Sequence, residues 1–154
     1  MRPEEYKSYA RIGLLTALSA VGALVKIPSP VGSIALDSAP GYFAALIALR
    51  EGAIVATLGH LFSAYTAGFP LGIHMHVIVA IFMAFCATVF GVISKRRVKI
   101  AILVATLLNG VVGSFLVLPI GGIGFVLTIM PFLVLASAVN IVIAAVVYSR
   151  VFSS

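Results

Sequence analysis

Apolar residues follow one another in long runs along this chain, without the alternation expected of a strand or the stripe expected of a soluble helix. Six runs are candidates for membrane-crossing helices, since a bilayer core about 30 Å thick requires roughly 20 apolar residues. Gly and Pro separate several of them, as at Pro28, Pro30, Pro70 and Gly72. The predicted spans are residues 9–27, 38–49, 52–68, 76–94, 100–118 and 129–151.

The composition assigns these runs to a membrane. Of the 154 residues, 62% are hydrophobic and 9% are charged, whereas a soluble domain carries about 25% charged residues. Apolar residues continue almost to the C-terminus, which argues against disorder. We therefore predict an all-α integral membrane protein with a single membrane domain over residues 1–154. We expect its first run to be a span and not a cleaved signal.

The positions of the charges predict the topology. The net charge of +6 does not indicate nucleic-acid binding, because the positive residues lie at the ends of apolar runs, as the positive-inside rule requires. If the N-terminus is inside, only Lys26 lies outside. The basic residues that this orientation places in the cytoplasm are Arg2, Lys7, Arg11, Arg50, Lys95, Arg96, Arg97, Lys99 and Arg150. The prediction is a multi-pass protein of the cell membrane with both termini cytoplasmic, and with Arg11 extending toward the inner surface.

The second run is too short to cross a bilayer. Residues 38–49 extend for about 18 Å as a helix, against about 30 Å of hydrocarbon. The preceding stretch, residues 28–37, is rich in Pro and Gly and is poor helix material. Because non-helical backbone at membrane depth must be buried in protein or line a wet cavity, the sequence predicts an outward-facing cavity beside the start of the second helix.

Polar residues within or beside the spans are the candidate solute ligands. Asp37 and Ser38 precede the second helix, where they either cap it or also contact a solute. His60, Asn109 and Asn140 each lie near the middle of a predicted span. A polar side chain there is costly unless it faces the bundle interior. These three residues therefore form either separate interhelical hydrogen bonds or one polar pocket.

The sequence contains no motif for metal, ATP or catalysis. His74 and His76 flank the entry to the fourth span, but a metal site needs three or four ligands. We therefore predict no metal and place His76 at the pocket mouth. The phosphate-binding motif G-x-x-x-x-G-K-[ST] and the hydrolase motifs H-E-x-x-H and G-x-S-x-G are absent, and no cofactor is expected. Energy for any transport must come from a partner.

Small residues recur at four-residue spacing in the first span. The pairs are Gly13 and Ala17, Thr16 and Ala20, and Ser19 and Ala23. Since this spacing lets helices approach closely in lipid, the residues serve either a partner protein or packing within the chain.

Three stretches of the chain resemble the substrate-binding S components of energy-coupling factor (ECF) vitamin transporters. They are ALSAVGA running into KIPSP (residues 17–30), IALDSAPGYFAA (residues 34–45) and GHLFSAYTAGFP (residues 59–70). The resemblance extends over most of the chain. It is closest to the subgroup linked to cobalamin precursors, namely alpha-ribazole and its base dimethylbenzimidazole.

The resemblance implies a six-helix S-component bundle that is a transport subunit and not an enzyme. It implies capture of a vitamin or precursor, best matched by alpha-ribazole, and release inside with a transmembrane T component and two cytoplasmic ATPases. The implied substrate-binding residues are Asp37, Ser38, Tyr42, His76, Asn109, Phe115 and Asn140, with Tyr65 as a further stacking candidate. The implied interface with the T component comprises Gly13, Thr16, Ala17, Ser19, Ala20 and Ala23.

Other functions stay open at this point. Within the family, the solute can be riboflavin, a thiamine precursor, pantothenate or a metal ion. Outside it, the chain can be a ligand-free membrane scaffold subunit. A membrane-embedded enzyme is disfavoured, because the spans hold no catalytic set.

Overall fold

The chain is almost entirely helical. The computed structural model describes residues 3–30, 32 and 34–152, so Arg2 lies outside the described residues. The α-helices are α1 (Pro3–Gly22), α2 (Ala39–Ile47), α3 (Leu49–Thr66), α4 (Ile73–Ser94), α5 (Val98–Leu107) and α6 (Leu118–Phe152). In these ranges there is no β-strand, only an isolated bridge between Lys26 and Ala35. The all-α prediction is confirmed.

Two stretches of the described chain, Ile73–Ser94 and Val98–Phe152, are long and apolar enough to cross a membrane. The second is 55 residues long, about 80 Å as a straight helix. It is not straight, because Gly122 is non-helical with φ 66° and ψ −177°. The chain folds back there, so that Gly110 packs on the backbone of Val134. Six crossings and cytoplasmic termini stay predictions.

The helix α1 ends before the predicted boundary at residue 27, because the following residues form a short hairpin. Residues 25–27 pair with residues 34–36: the Ile27 N–H donates to the Ile34 carbonyl at 2.8 Å, and the Leu36 N–H to the Val25 carbonyl at 3.1 Å. Gly22 lies so close to the Leu36 carbonyl that a Cβ there would overlap it. The hairpin is therefore packed directly against the end of α1.

The helix α2 is short, as predicted. It contains nine residues, about 13 Å of helix, and Ala48, with φ −150° and ψ 126°, separates it from α3. The described residues of the stretch before it, 28–30, 32 and 34–37, are not helical, as the sequence predicted. The helices α3 and α4 each begin three residues before their predicted starts at 52 and 76.

The predicted fifth span, residues 100–118, is not one regular helix. The α-helical hydrogen bonding ends at Leu107, and a π-helical turn (Leu108–Val112) and a 3₁₀ turn (Gly113–Val117) follow. The glycine-rich stretch Gly121–Gly124 predicts a flexible loop or lid from sequence, and this prediction is wrong. Helix continues on both sides of Gly122, and only this glycine of the stretch takes a left-handed φ.

The helices α2, α3 and α4 form a closely packed half of the bundle. Three glycines permit this: a Cβ at Gly41 would lie 2.8 Å from Ala56 Cα, and one at Gly52 would lie 2.5 Å from Ala45 Cα. A Cβ at Gly91 would lie 2.6 Å from the Ala45 carbonyl oxygen. Helices this close gain dispersion contacts along their length.

The two ends of the chain lie at the same end of the bundle. Phe43 of α2 packs, with Ile12 of α1, on the buried residues Leu15, Ala44 and Val55. The ring of Phe43 also lies 6.1 Å from that of Tyr148 and 6.4 Å from that of Phe152. Phe43 of α2 therefore packs both on the cluster that includes Leu15 of α1 and on the end of α6.

An ion pair joins α1 to α3 at this same end. Arg11 donates to both carboxylate oxygens of Glu51, from Nε at 2.9 Å and from Nη2 at 2.7 Å. Arg11 thus makes a bidentate contact with a carboxylate that is 3% exposed, and its extension toward the inner surface stays a prediction. Because the end of α4 also packs here through Gly91, those predicted cytoplasmic cations that the structure describes gather at one end of the bundle. Lys26 lies on the hairpin, away from them.

Candidate functional site

A cavity of about 100 Å³ lies beneath the hairpin. The hairpin and the residues after it, α3, α4, the irregular segment after α5, and α6 all contribute to its wall. Most of the wall is apolar, as in most small-molecule sites. The polar side chains that line it are Asp37, Ser38, His60, His76, Asn109, Ser137 and Asn140. The structure therefore brings the three predicted mid-span residues, His60, Asn109 and Asn140, into one pocket.

Asn140 holds the hairpin and the start of α2 in place. Its Oδ1 accepts from the backbone N–H groups of Ser38 at 3.2 Å and Ala39 at 2.9 Å. Its Nδ2 donates to the carbonyls of Ala35 at 3.1 Å and Ala136 at 2.9 Å. The amide uses both donor hydrogens and accepts twice. Asn140 thus lines the cavity while its own hydrogen bonds are made to the backbone.

This arrangement explains how α2 begins. Ser38 is the N-cap residue, as predicted, but its side chain makes no capping hydrogen bond. The first N–H groups of a helix have no partner within it, and here an asparagine from α6 accepts them. The sequence predicted that Asp37 or Ser38 would accept these N–H groups. In the structure the acceptor is Asn140 of α6 instead.

Asp37 follows the hairpin and lines the cavity. Burial raises the pKa of its carboxyl to about 6, although the Ser63 hydroxyl and the positive charge of Lys26 offset part of that effect. A carboxyl with such a pKa exchanges between the protonated and the ionised form near neutral pH. It can therefore donate to a solute or accept from it.

The imidazole rings of His60 and His76 lie next to each other in the cavity wall. Nδ1 of His76 lies 3.2 Å from Nε2 of His60, and the ring centroids are 5.4 Å apart. One proton between these nitrogens makes a hydrogen bond. His76 is 2% exposed, and its Nε2 has no hydrogen-bond partner among the residues that the structure describes. A buried polar atom without a partner is costly, so a solute that pairs with Nε2 gains a hydrogen bond.

Asn109 lies in the π-helical turn, a feature that often marks functional sites. Its Nδ2 donates to the Ser137 hydroxyl at 2.8 Å, and this hydroxyl donates to the Leu133 carbonyl at 2.6 Å. Within the described residues, no hydrogen bond uses Oδ1 of Asn109. Asn109 is therefore held in position with one acceptor free.

The aromatic residues suggested for stacking lie elsewhere. Tyr42 is fully buried in the core against Phe90, with ring centroids 5.4 Å apart. Tyr65 and Phe115 are exposed, and none of the three is among the described residues that line the cavity. The aromatic ring that does line it, besides the two histidines, is that of Phe82.

Ser137 and Phe82 are two of the lining residues that the sequence analysis did not single out. Ser137 precedes Asn140 by three positions, which puts both on one face of a helix, so this spacing was a usable signal. Phe82 carried no such signal, because the fourth run is apolar on every face.

The small residues of α1 divide between two faces. Thr16, Ser19 and Ala23 are buried by the chain itself, and Gly59 of α3 packs on Ser19. Gly13 and Ala17 are exposed, and Ala20 is half-buried. A Cβ at Gly13 would meet nothing within 4 Å. The face open to a partner is therefore that of Gly13, Ala17 and Ala20.

Residues 7–152 match the family described as ECF transporter, substrate-specific component. Because the match extends over nearly the whole chain, the protein belongs to this family of membrane transport subunits. No curated protein and no solved structure matches the chain. Membership implies a small-molecule substrate and association with T and ATPase components, and it leaves the substrate itself open.

Proposed function

We propose that the cavity beneath the hairpin is the solute-binding site of this subunit. The observation that carries the proposal is the unpaired Nε2 of His76, in a mainly apolar wall with Asp37, His60 and Asn109. Apolar walls with a few convergent polar groups are typical of small-molecule sites. A ligand-free scaffold subunit has no need of such an arrangement.

The solute best matched by these groups is an aromatic base that carries hydroxyl groups, and we propose alpha-ribazole. Phe82 and the imidazole pair offer flat faces for the base. Asp37 and the free acceptor of Asn109 suit the ribose hydroxyls. Asn140 acts by positioning the hairpin, since its amide already bonds to the backbone.

The cavity is too small for a nucleoside, so the proposal includes a movement of the hairpin. Its volume is about 100 Å³, below the roughly 300–1,000 Å³ of most ligand sites. We infer that this is the closed arrangement and that the hairpin moves outward to admit a nucleoside-sized solute. This movement breaks the bonds that Asn140 of α6 makes to the hairpin and separates the hairpin from the end of α1.

The remaining steps follow the family. The subunit captures the solute from outside and releases it inside together with a transmembrane T component and two ATPases. The exposed face of Gly13, Ala17 and Ala20 suits close approach of a partner helix.

The test is a calorimetric titration of the detergent-purified chain with alpha-ribazole and with dimethylbenzimidazole. We expect saturable one-to-one binding of alpha-ribazole. The variant His76→Ala should weaken it about fivefold to tenfold, the equivalent of one hydrogen bond. His74→Ala is the matched control, because His74 is exposed and lies outside the cavity wall.

Three outcomes separate the parts of the proposal. Binding of another vitamin with the same dependence on His76 keeps the site and replaces the solute. Binding that is equally sensitive to His74→Ala and His76→Ala rejects the site. Copurification with T and ATPase components without any bound small molecule supports a scaffold subunit.

A further inference from the structure

The α4–α5 connection carries four cations in five residues, Lys95, Arg96, Arg97 and Lys99, and all four are exposed. None of them makes an ion pair or a side-chain hydrogen bond with the described part of the chain. By contrast, Arg11 and Lys7 at the same end of the bundle are paired with Glu51 and Glu4. The connection is thus a concentrated positive charge without an internal counterion.

A groove with apolar sides lies beside these cations. Its walls are Val92 and Ile93 at the end of α4, Arg96 and Arg97 in the connection, and Ile100 in the first turn of α5. The two guanidinium groups therefore line the same groove as three aliphatic side chains. The positive-inside rule accounts for cations at this level, but it does not require a groove between them.

The start of α5 adds to the positive field at the groove. Arg97 is the N-cap residue of this 10-residue helix and provides no side-chain capping bond. The first N–H groups of the helix are therefore open to an external acceptor. Helix N-termini favour phosphate through these donors and through the helix dipole.

The surroundings of the groove place it beside the hydrocarbon of the membrane. The stretches Ile73–Ser94 and Val98–Phe152 are the two that are apolar enough to cross it, and the connection lies between them. Val92, Val98 and Leu103 are large apolar residues exposed around the groove. A molecule that combines a negative headgroup with an acyl chain satisfies both the cations and these apolar residues.

We propose that this groove, formed by Val92, Ile93, Arg96, Arg97 and Ile100, binds an anionic phospholipid. The phosphate contacts Arg96 and Arg97, and an acyl chain lies along Val92, Ile93 and Ile100. Basic pockets between membrane helices are known to bind lipid headgroups in this way. The proposal is independent of the solute site, because the groove and the cavity share no residue.

The test is a titration of the detergent-purified full chain with fluorescent phosphatidylglycerol and, separately, with phosphatidylcholine of the same acyl chains. We expect saturable binding of phosphatidylglycerol only. Each arginine contributes about fivefold to a phosphate contact near the surface, so the double variant Arg96→Gln with Arg97→Gln should lose about twentyfold. Glycerol phosphate, which lacks acyl chains, should not displace the lipid at equal concentration.

The matched control is the double variant Arg50→Gln with Arg150→Gln. It removes the same charge from exposed positions outside the groove, and we expect it to bind as the wild type does. An equal loss in both double variants would show a general charge effect and overturn the proposal. Displacement by glycerol phosphate would show a phosphate site without a lipid. Loss of assembly with the T and ATPase components, with lipid binding unchanged, would assign the cations to a protein partner.

Thermal unfolding of each variant separates these outcomes from misfolding. Cys86 is the chain's single cysteine and is buried, so a thiol-reactive dye reports when the bundle opens. Lipid affinities are compared between variants that unfold at the temperature of the wild type. The conservative variant Arg96→Lys with Arg97→Lys should retain most of the binding, because the charge is kept.

Discussion

The close packing among α2, α3 and α4 differs from the rest of the cavity wall, which the hairpin, the irregular segment after α5, and α6 provide. In the first, Gly41, Gly52 and Gly91 bring backbones into direct contact. In the second, the helix after α5 passes through π and 3₁₀ turns, and the hairpin is bonded to α6 by Asn140. Close packing resists deformation, whereas a few hydrogen bonds can break and re-form. The closely packed helices therefore form a rigid frame for the cavity. The hairpin that covers the cavity is bonded to α6 by Asn140.

The largest effect should follow from Asn140→Leu, which removes the bonds from α6 to the hairpin and to the start of α2. The N–H groups of Ser38 and Ala39 and the carbonyl of Ala35 would all lose their partner. At about 1–3 kcal/mol for each buried group left unsatisfied, with some relaxation of the hairpin, we expect a loss of about 3 kcal/mol in unfolding free energy. Dye labelling of Cys86 during a denaturant or thermal titration measures it. An unchanged stability would show that Asn140 does not hold the hairpin.

The packed half is tested by Gly52→Ala. The new Cβ would lie 2.5 Å from Ala45 Cα, so α2 and α3 must separate, and overpacking of this kind costs about 1–3 kcal/mol. Gly13→Ala is the matched control, because its Cβ would meet nothing within 4 Å. That change should be neutral or stabilising by about 0.5–1 kcal/mol, as Ala is the better helix former. Equal losses in the two variants would remove the distinction between the packed and the open faces.

The residues that cover the cavity should give the stability a pH dependence of their own, through Asp37. The pKa of Asp37 is about 6 in the fold, above the value of about 4 in an unfolded chain. Between these pH values the folded state binds more protons, so stability falls as pH rises from about 4 to about 6 and stays low above that. Asp37→Asn removes this contribution and should stabilise the chain by about 1–2 kcal/mol at pH 7.

The measurement for Asp37 is the difference between wild type and Asp37→Asn at each pH. The difference cancels the titration of other groups, such as Glu51 paired with Arg11. We expect it to be small near pH 4 and to reach its full value near pH 7. A difference that is constant with pH would show that Asp37 is not desolvated.

The smallest effect on stability should come from Asn109→Leu. This change removes one bond, from Nδ2 to the Ser137 hydroxyl, and Ser137 keeps its bond to the Leu133 carbonyl. A loss of about 1 kcal/mol is expected, clearly less than for Asn140→Leu. The solute affinity should nevertheless fall, since Asn109 offers a free acceptor. A stability loss as large as that of Asn140→Leu would mean that both residues are structural.

Several features of the cavity could be predicted from the sequence. The short second run and the poor helix-forming residues before it predicted the non-helical segment beside a cavity, and Ile34, Ala35, Asp37 and Ser38 do line it. The costly mid-span positions of His60, Asn109 and Asn140 left open either separate interhelical hydrogen bonds or a shared pocket, and all three residues line the cavity. Such features can be read from the sequence because helix length and the cost of buried polar groups depend on local sequence and on lipid.

Other features depended on contacts between distant residues. The bonds from Asn140 to residues 35, 38 and 39 span about a hundred positions, and no local pattern specifies them. Nothing in the sequence distinguished Phe82 from its apolar neighbours. Tyr42 was predicted to bind substrate, but it lies in the core. The glycines at 121–124 suggested a loop, but only Gly122 uses its conformational freedom.

The central claim is that the cavity beneath the hairpin holds the solute. The most direct measurement incubates the purified chain with a cell extract, washes it, and quantifies the retained small molecule by mass for wild type, Phe82→Ala and Phe115→Ala. Phe82 lines the cavity and Phe115 does not. The account predicts one retained compound, lowered about tenfold by Phe82→Ala through lost stacking and burial and unchanged by Phe115→Ala. Loss in Phe115→Ala with full retention in Phe82→Ala would contradict it.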